Sequence, residues 1–225
     1  MHKVKENKNG KINNIIICKV TSLHIVMTKM LKEKDDERYI QLYGNQLHGV
    51  ILSGTGQISS IVREAGRLVA KAEMKLKGKR TPSPLLDRLS FGQYNRPFQP
   101  SRTDFDWLSR DAQAVDRYIN DSLCGGIFSS GFFYDLLSGI KQASVQSQIQ
   151  HVPSDLPIFL VSGDQDPVGG YTKGVLKTYK GLKKAGLNDV TYKFYLQGRH
   201  EMLHETNRDE VIQDIIDWME DRVLG

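Results

Sequence analysis

Cysteine is scarce in this 225-residue sequence, which contains only Cys18 and Cys124. Two cysteines are too few for the disulfide framework that stabilises many small secreted domains. Long apolar runs are also missing, because the one near the N-terminus, residues 15–18, is bounded by Asn14 and Lys19. That run is too short for the core of a signal peptide and far too short to span a bilayer. We therefore expect a cytoplasmic protein without a transmembrane segment.

Acidic residues are outnumbered, since 31 Lys and Arg residues against 26 Asp and Glu residues give a formal net charge of +5. The basic residues form runs near the N-terminus, at residues 71–80 and at residues 173–184. A nucleic-acid-binding module would combine such runs with aromatic stacking residues, and the sequence shows no such module. Solvated protein faces are the preferred interpretation, so no nucleic-acid partner is expected. Peripheral contact with anionic lipid headgroups stays open, and the sequence does not indicate an oligomeric state.

Three segments have the pattern of β-strands. Residues 48–54 and 157–162 are short apolar runs, which are typical of strands buried on both faces of a parallel sheet. Residues 190–196 alternate apolar and polar side chains, the pattern of a strand with one less buried face. Upstream of these, residues 12–20 are a further strand or an unstructured lead-in, so the chain supplies at most one strand before residue 50.

Helical patterns follow the second and the third of these strands. Residues 172–185 carry apolar side chains at helical spacing and end at Gly186, a typical C-terminal cap. Asn207 and Glu210 fit a variant of the capping box at the start of a final helix. We expect the apolar stripe of that helix to comprise Ile212, Ile215, Ile216 and Met219. Strands that alternate with helices predict βαβ units and a parallel sheet.

One long stretch, residues 57–150, interrupts this alternation. A connection of that length between two strands exceeds an ordinary loop, and its local patterns are mostly helical. We therefore predict an α/β fold whose core comprises residues 36–56 and 151–225, with a helical insertion at residues 57–150. We expect residues 1–35 to be a divergent N-terminal segment that does not belong to this core.

Two residues suited to acid–base chemistry follow the last two predicted strands. Asp166 comes after residues 157–162 and His200 after residues 190–196, and the carboxyl ends of parallel strands share the edge where α/β folds bind ligands. An imidazole can take and return a proton near neutral pH, and a carboxylate on its other nitrogen fixes the tautomer. Asp164 is a second candidate for the acid. The alternative interpretation is that Asp166 and His200 are both solvated turn residues without a catalytic role.

The segments around these residues resemble a known family. Residues 161–171 (Val-Ser-Gly-Asp-Gln-Asp-Pro-Val-Gly-Gly-Tyr) and 198–203 (Gly-Arg-His-Glu-Met-Leu) resemble the acid and histidine motifs of α/β-hydrolases of the lysophospholipase, monoacylglycerol lipase and serine aminopeptidase type. Other stretches look like the strand before the family's cap and like parts of the cap: residues 49–56, 104–111 and 123–125. The resemblance extends from about residue 38 to the C-terminus, and its motifs occur in the family's order.

The resemblance implies the C-terminal part of an α/β-hydrolase sheet with a mostly helical cap. It implies hydrolysis of a carboxylic ester, such as an acylglycerol or a lysophospholipid, without a cofactor or a metal. In that reaction Asp166 would orient His200, which would act as general base and then as general acid. The aromatic residues Phe105 and Trp107 are candidates for contact with a small acyl-ester or lipid-like substrate, although packing within the cap is the simpler explanation of such residues.

The family's nucleophile motif is missing from the sequence. The family places its serine in Gly-x-Ser-x-Gly, on a tight turn between a strand and a helix. No serine in this sequence has glycine both two positions before it and two positions after it. Where the family has this turn, residues 27–34 read Met-Thr-Lys-Met-Leu-Lys-Glu-Lys. Cys18 is no substitute, because Ile16 and Val20 are β-branched and would resist such a turn. We expect a catalytically impaired chain, for which a truncated gene product is the most economical explanation.

Two other functions stay open. His200-Glu201-Met202-Leu203-His204 spells His-Glu-x-x-His, which on a helix would bind zinc with Glu201 activating a water molecule. Its position directly after a strand and the lack of a later histidine make this zinc peptidase the weaker interpretation. The other possibility is a non-catalytic remnant that still binds apolar ligands.

Overall fold

The protein is described by a computed structural model that covers residues 15–20, 23–29, 39–56, 58–143 and 149–224. Its centre is a five-stranded sheet whose strands follow one another in sequence order. The strands are β1 (Ile15–Val20), β2 (Leu23–Lys29), β3 (Gly49–Ser53), β4 (Ile158–Gly163) and β5 (Val190–Tyr195). Strands β2 to β5 are parallel, whereas β1 pairs antiparallel with β2. The predicted α/β fold with a parallel sheet is confirmed.

The N-terminal part of the sheet differs from expectation. We expected at most one strand before β3, and the structure has two, so that expectation was wrong. The β-branched residues Ile25, Val26 and Thr28 favour extended backbone, and β2 pairs with β3 in the register Val26↔Val50. The charged residues that follow β2 gave this part of the sequence no clear strand pattern. Of residues 27–34, which stand where the family has its nucleophile turn, residues 27–29 lie in β2 and the rest lie outside the described residues.

Both central strands, β3 and β4, are buried along their whole length. Val50 and Leu160 contribute to a core on one face of the sheet, whereas Ile51 and Phe159 contribute to a core on the other. Because both faces are covered, these strands read as continuous apolar runs and not as alternating ones. The sheet thus presents the carboxyl ends of β3, β4 and β5 side by side along one edge.

Between β3 and β4 the described residues include four α-helices with defined bounds and one short 3-10 helix, Arg96–Phe98. The α-helices are α1 (Ser60–Lys77), α2 (Pro84–Ser90), α3 (Ala112–Asn120) and α4 (Ser130–Ala143). Side chains of Ser59, Ser83 and Asp111 accept backbone N–H groups at the starts of α1, α2 and α3. Helices α1 and α4 pack together. We call the segment that contains these helices, Ser60–Ala143, the insertion.

The two C-terminal helices are α5 (Lys173–Lys184) and α6 (Arg208–Met219). The prediction of α5 is confirmed within one residue at each end. In α6 the expected stripe is partly wrong, because Ile212 and Ile216 are 40% and 36% exposed. Apolar residues occur in adjacent pairs along α6, and the buried face is the one that contains Trp218, whose ring stacks on Phe159 at 5.6 Å. No helix among the described residues is long and apolar enough to cross a bilayer.

Candidate active site

The predicted acid and histidine are in contact. The Nδ1 atom of His200 lies 3.2 Å from Oδ1 and 3.1 Å from Oδ2 of Asp166. Asp166 has no exposed surface and His200 is 4% exposed. Both residues lie just beyond the carboxyl ends of neighbouring parallel strands, β4 and β5. A buried carboxylate bonded to one ring nitrogen holds the imidazole in one orientation and favours one tautomer.

Two glycines allow the loops that carry these residues to meet. A Cβ atom on Gly163 would lie 2.0 Å from the carbonyl oxygen of Gly198, so only glycine fits there. Backbone bonds join the loops at this point, since the N–H of Gln165 donates to the oxygen of Gly198 at 2.9 Å. The N–H of Asp164 also donates to the oxygen of Tyr195 at 3.1 Å. The contact between acid and histidine therefore depends on close packing of the backbone.

The carboxylate of Asp166 is fixed by its own turn as well as by the imidazole. The N–H of Val168 donates to Oδ1 at 2.8 Å, and the hydroxyl of Ser162 lies 3.5 Å from Oδ2. Asp164, the rival acid, has a buried Oδ1 atom without a hydrogen-bond partner. The structure therefore places Asp166, and not Asp164, in contact with the imidazole.

The turn after β3 and the insertion both reach the same imidazole. Gly54 directly follows β3, and a Cβ atom there would lie 3.0 Å from both Cε1 and Nδ1 of His200. The ring of Trp107 lies 5.4 Å from the imidazole ring, centroid to centroid, and its side chain is buried. The other aromatic candidate, Phe105, packs against Tyr118 within the insertion, at 5.2 Å between ring centroids. Of the two candidates, only Trp107 therefore contacts the acid–histidine pair directly.

Sequence reasoning missed a partly buried ion pair beside the site. Arg110 of the insertion donates through Nε to Oε2 of Glu205 at 2.9 Å, and Glu205 has no exposed surface. Arg199, next to His200, reaches the insertion as well, because its guanidinium donates to the backbone oxygens of Asp106 and Ser109. Burial lowers the pKa of Arg199. Arg110 and Glu205 are 95 residues apart, so no local spacing in the sequence indicates the pair.

The residues of the His-Glu-x-x-His segment do not share one α-helix. His200 lies in the loop after β5, and only residues Met202–His204 form a short 3-10 helix. The Nδ1 atom of His204 lies 3.4 Å from Glu201, whereas that of His200 faces Asp166. Within the described ranges, no group of three or more His, Cys, Asp or Glu side chains is placed to hold a metal ion.

Comparison with known proteins identifies relatives at the level of family and fold. The family described as serine aminopeptidase, S33, matches residues 37–207. A highly thermostable carboxyl esterase from Bacillus coagulans, solved in complex with glycerol, superposes with a TM-score of 0.79 at 24% identity over 88% of this chain. A monoacylglycerol lipase from Paleococcus ferrophilus superposes with a TM-score of 0.62 at 18% identity, over 89% of this chain and 69% of its own. No curated protein matches the sequence significantly.

A soluble variant of the monoglyceride lipase from Saccharomyces cerevisiae, solved with a substrate analogue, has a TM-score of 0.63 at 16% identity. It is matched over 88% of this chain and 61% of its own. This chain likewise spans 64% of the length of the carboxyl esterase. At these identities the likeness establishes the fold alone. That fold is an α/β-hydrolase fold, of which this chain contains a part.

Proposed function

The chain belongs to the serine aminopeptidase S33 family of α/β-hydrolases, and on that premise we propose that Asp166 and His200 are the acid and the base of a carboxylic ester hydrolase. The observation that supports this proposal is the buried bond between the two side chains at the carboxyl edge of the sheet, 3.1 Å long. Open α/β folds bind their ligands at that edge. The order of the two residues along the chain, acid before histidine, is that of an α/β-hydrolase triad.

The proposed chemistry assigns one proton path to His200. Because Nδ1 faces Asp166, Nε2 is the nitrogen that would accept the hydroxyl proton while a serine oxygen attacks the ester carbonyl carbon. The same nitrogen would then protonate the leaving alcohol, which leaves an acyl-serine. Attack by water, again deprotonated by His200, would release the carboxylic acid and restore the serine. Asp166 stabilises the imidazolium that forms twice in this cycle.

The 225-residue polypeptide is proposed to be catalytically impaired by itself. Its sequence contains no Gly-x-Ser-x-Gly, so the acid and the base have no recognisable nucleophile to serve. Loss of the nucleophile alone lowers kcat of a serine hydrolase by about six orders of magnitude. The pair would then persist as part of a fold that binds the apolar part of its ligand without hydrolysing it.

An acylglycerol or a lysophospholipid is the substrate class that we propose for this lineage. The insertion would serve as a cap over the strand ends, with Trp107 as the apolar wall next to the imidazole. The carboxyl esterase and the monoacylglycerol lipase that share the fold are consistent with an ester substrate. Phe105 would contribute through its packing within the cap.

Covalent labelling by a fluorophosphonate, together with hydrolysis of p-nitrophenyl butyrate, tests the proposed impairment. The purified chain should show no labelling and no turnover above that of a His200→Gln variant. Labelling of one residue per chain that depends on His200 would show that a nucleophile is present and that the impairment is wrong. Zinc analysis after dialysis tests the alternative, since one tightly held zinc ion per chain would favour the peptidase.

A further inference from the structure

Glu205 is a buried carboxylate that accepts hydrogen bonds from its own loop and from Arg110, which lies 95 residues away in the sequence. Its Oε1 accepts from the backbone N–H of Arg199 at 2.9 Å and from that of Arg110 at 3.0 Å. Its Oε2 accepts from Nε of Arg110 and from the N–H of Thr206, both at 2.9 Å. Four donors on a carboxylate without exposed surface compensate the cost of burying its charge.

The bonds around Glu205 are part of a longer junction. The N–H of Glu201 donates to the backbone oxygen of Leu108 at 2.7 Å, and that of His200 to the oxygen of Trp107 at 3.4 Å. The hydroxyl of Ser109 donates to the oxygen of His204 at 2.7 Å. The loop of His200 is therefore bonded along its length to residues 107–110 of the insertion.

We propose that Glu205 is a positioning residue for His200. It fixes the amide of Arg199, which immediately precedes His200, and through Arg110 it ties that loop to the insertion segment that carries Trp107. The imidazole is then held in contact with Asp166 by the insertion as well as by β5. This inference rests on the proposed function of the acid–histidine pair, which gives the position of His200 its importance.

Proton NMR of the histidine side chains tests this positioning role. The Nδ1 proton shared with a buried carboxylate resonates far downfield, and a His200→Gln variant assigns its signal. Glu205→Gln keeps the shape of the side chain but places a neutral amide against Nε of Arg110. We expect the His200 signal to broaden or disappear. Hydrogen exchange at the amide of Arg199 should accelerate by about tenfold or more, because its charge-assisted hydrogen bond to Glu205 is lost.

Two controls separate positioning from a general loss of stability. Leu182→Ala removes buried side-chain volume from α5, in the core on the face of the sheet opposite to that of Met202 in the His200 loop. Asp209→Asn changes a neighbouring carboxylate whose side chain is 95% exposed. Both variants should keep the downfield His200 signal, although Leu182→Ala should unfold at lower denaturant concentration.

The outcomes distinguish this inference from the proposed function. An unchanged His200 signal in Glu205→Gln would overturn the positioning role, as would an equal loss of the signal in Leu182→Ala. If Glu205→Gln does not fold, Arg110→Lys tests the same role, since it keeps the positive charge and loses the Nε donor. An unchanged His200 signal in Arg110→Lys would then overturn the positioning role. Absence of the signal in the unmodified chain would instead contradict the acid–histidine pair itself.

Discussion

Gly54 occupies a position where any side chain would press on the imidazole of His200. Its φ angle is +67°, in the region that favours glycine. A Cβ atom there would lie 3.0 Å from Cε1 and Nδ1 of the ring and 3.2 Å from the backbone oxygen of His200. The turn after β3 therefore forms one wall of the space in which His200 meets Asp166.

Substitution of this glycine should destabilise the fold and displace the imidazole of His200. In Gly54→Ala the left-handed backbone costs about 1–2 kcal/mol, and the contact with the ring adds to that cost. Gly186→Ala is the matched control, since Gly186 has φ +97° and no atom within 4 Å of the added Cβ. We expect Gly54→Ala to be less stable than Gly186→Ala in urea unfolding and to shift the His200 resonances. Equal stability with unshifted resonances would contradict the contact.

The backbone approach at Gly163 is a second point that tolerates no side chain. In Gly163→Ala the methyl group would overlap the carbonyl of Gly198, which must move, and with it the loop of His200. Such overpacking costs about 1–3 kcal/mol or more. Gly181→Ala, in α5 with open space around it, should instead be neutral or stabilising by about 0.5–1 kcal/mol. Thermal unfolding of both variants checks this contrast, and a Gly163→Ala protein as stable as Gly181→Ala would refute the close approach.

Glu73 should make the insertion sensitive to acid. Hydrogen bonds from Lys77 and from Ser83 lower the pKa of this buried carboxyl below its usual 4.5, and Ser83 also caps α2 through the N–H of Leu86. A lowered pKa means that the stabilisation is present above about pH 4.5 and is lost as the pH falls through the lowered value. Glu73→Gln should therefore cost about 1.5–3 kcal/mol at pH 7 and progressively less in acid.

Urea unfolding at several pH values measures this difference. Asp135→Asn is the control, because Asp135 pairs with Lys79 at 3.4 Å on the surface with 64% of its side chain exposed. Exposed pairs contribute about 1 kcal/mol or less. A Glu73→Gln deficit that stays constant between pH 7 and pH 3 would argue against the carboxylate as its source.

Trp107 should report the binding of an apolar ligand near His200. The chain has two tryptophans, and Trp218 is stacked on Phe159 in the core beneath α6. A long-chain alkyl glycerol ether, which cannot be hydrolysed, should change the tryptophan fluorescence of the unmodified chain and of Trp218→Phe. Trp107→Phe should abolish the change. The same response in Trp107→Phe would place the ligand elsewhere.

Local sequence was sufficient to predict the elements that position the site. The uninterrupted apolar runs of β3 and β4 identified strands buried on both faces. The residues directly after β4 and β5 then pointed to Asp166 and His200, because parallel strands present their carboxyl ends along one edge. What the sequence did not indicate was the backbone fit at Gly163 and Gly198, which requires knowing that two loops meet.

Long-range polar contacts could not be predicted from the sequence. Asn207 and Glu210 looked like a capping box, yet the side chain of Asn207 caps no backbone amide. Its oxygen accepts from Arg110 at 2.9 Å, and its amide donates to Glu210. Asn207 therefore bonds to Arg110, which lies 97 positions away, and not to the backbone at the start of α6. The ion pair of Arg110 with Glu205 escaped prediction for the same reason.

The hydrogen bond between His200 and Asp166 is the feature on which the proposed function depends, and a far-downfield proton resonance measures it directly. The chain should show this resonance, and the isosteric Asp166→Asn variant should move it upfield or remove it, because the acceptor loses its charge. A spectrum in which His200 has no such proton, or in which the proton is unaffected by Asp166→Asn, would contradict the assignment of these residues as acid and base.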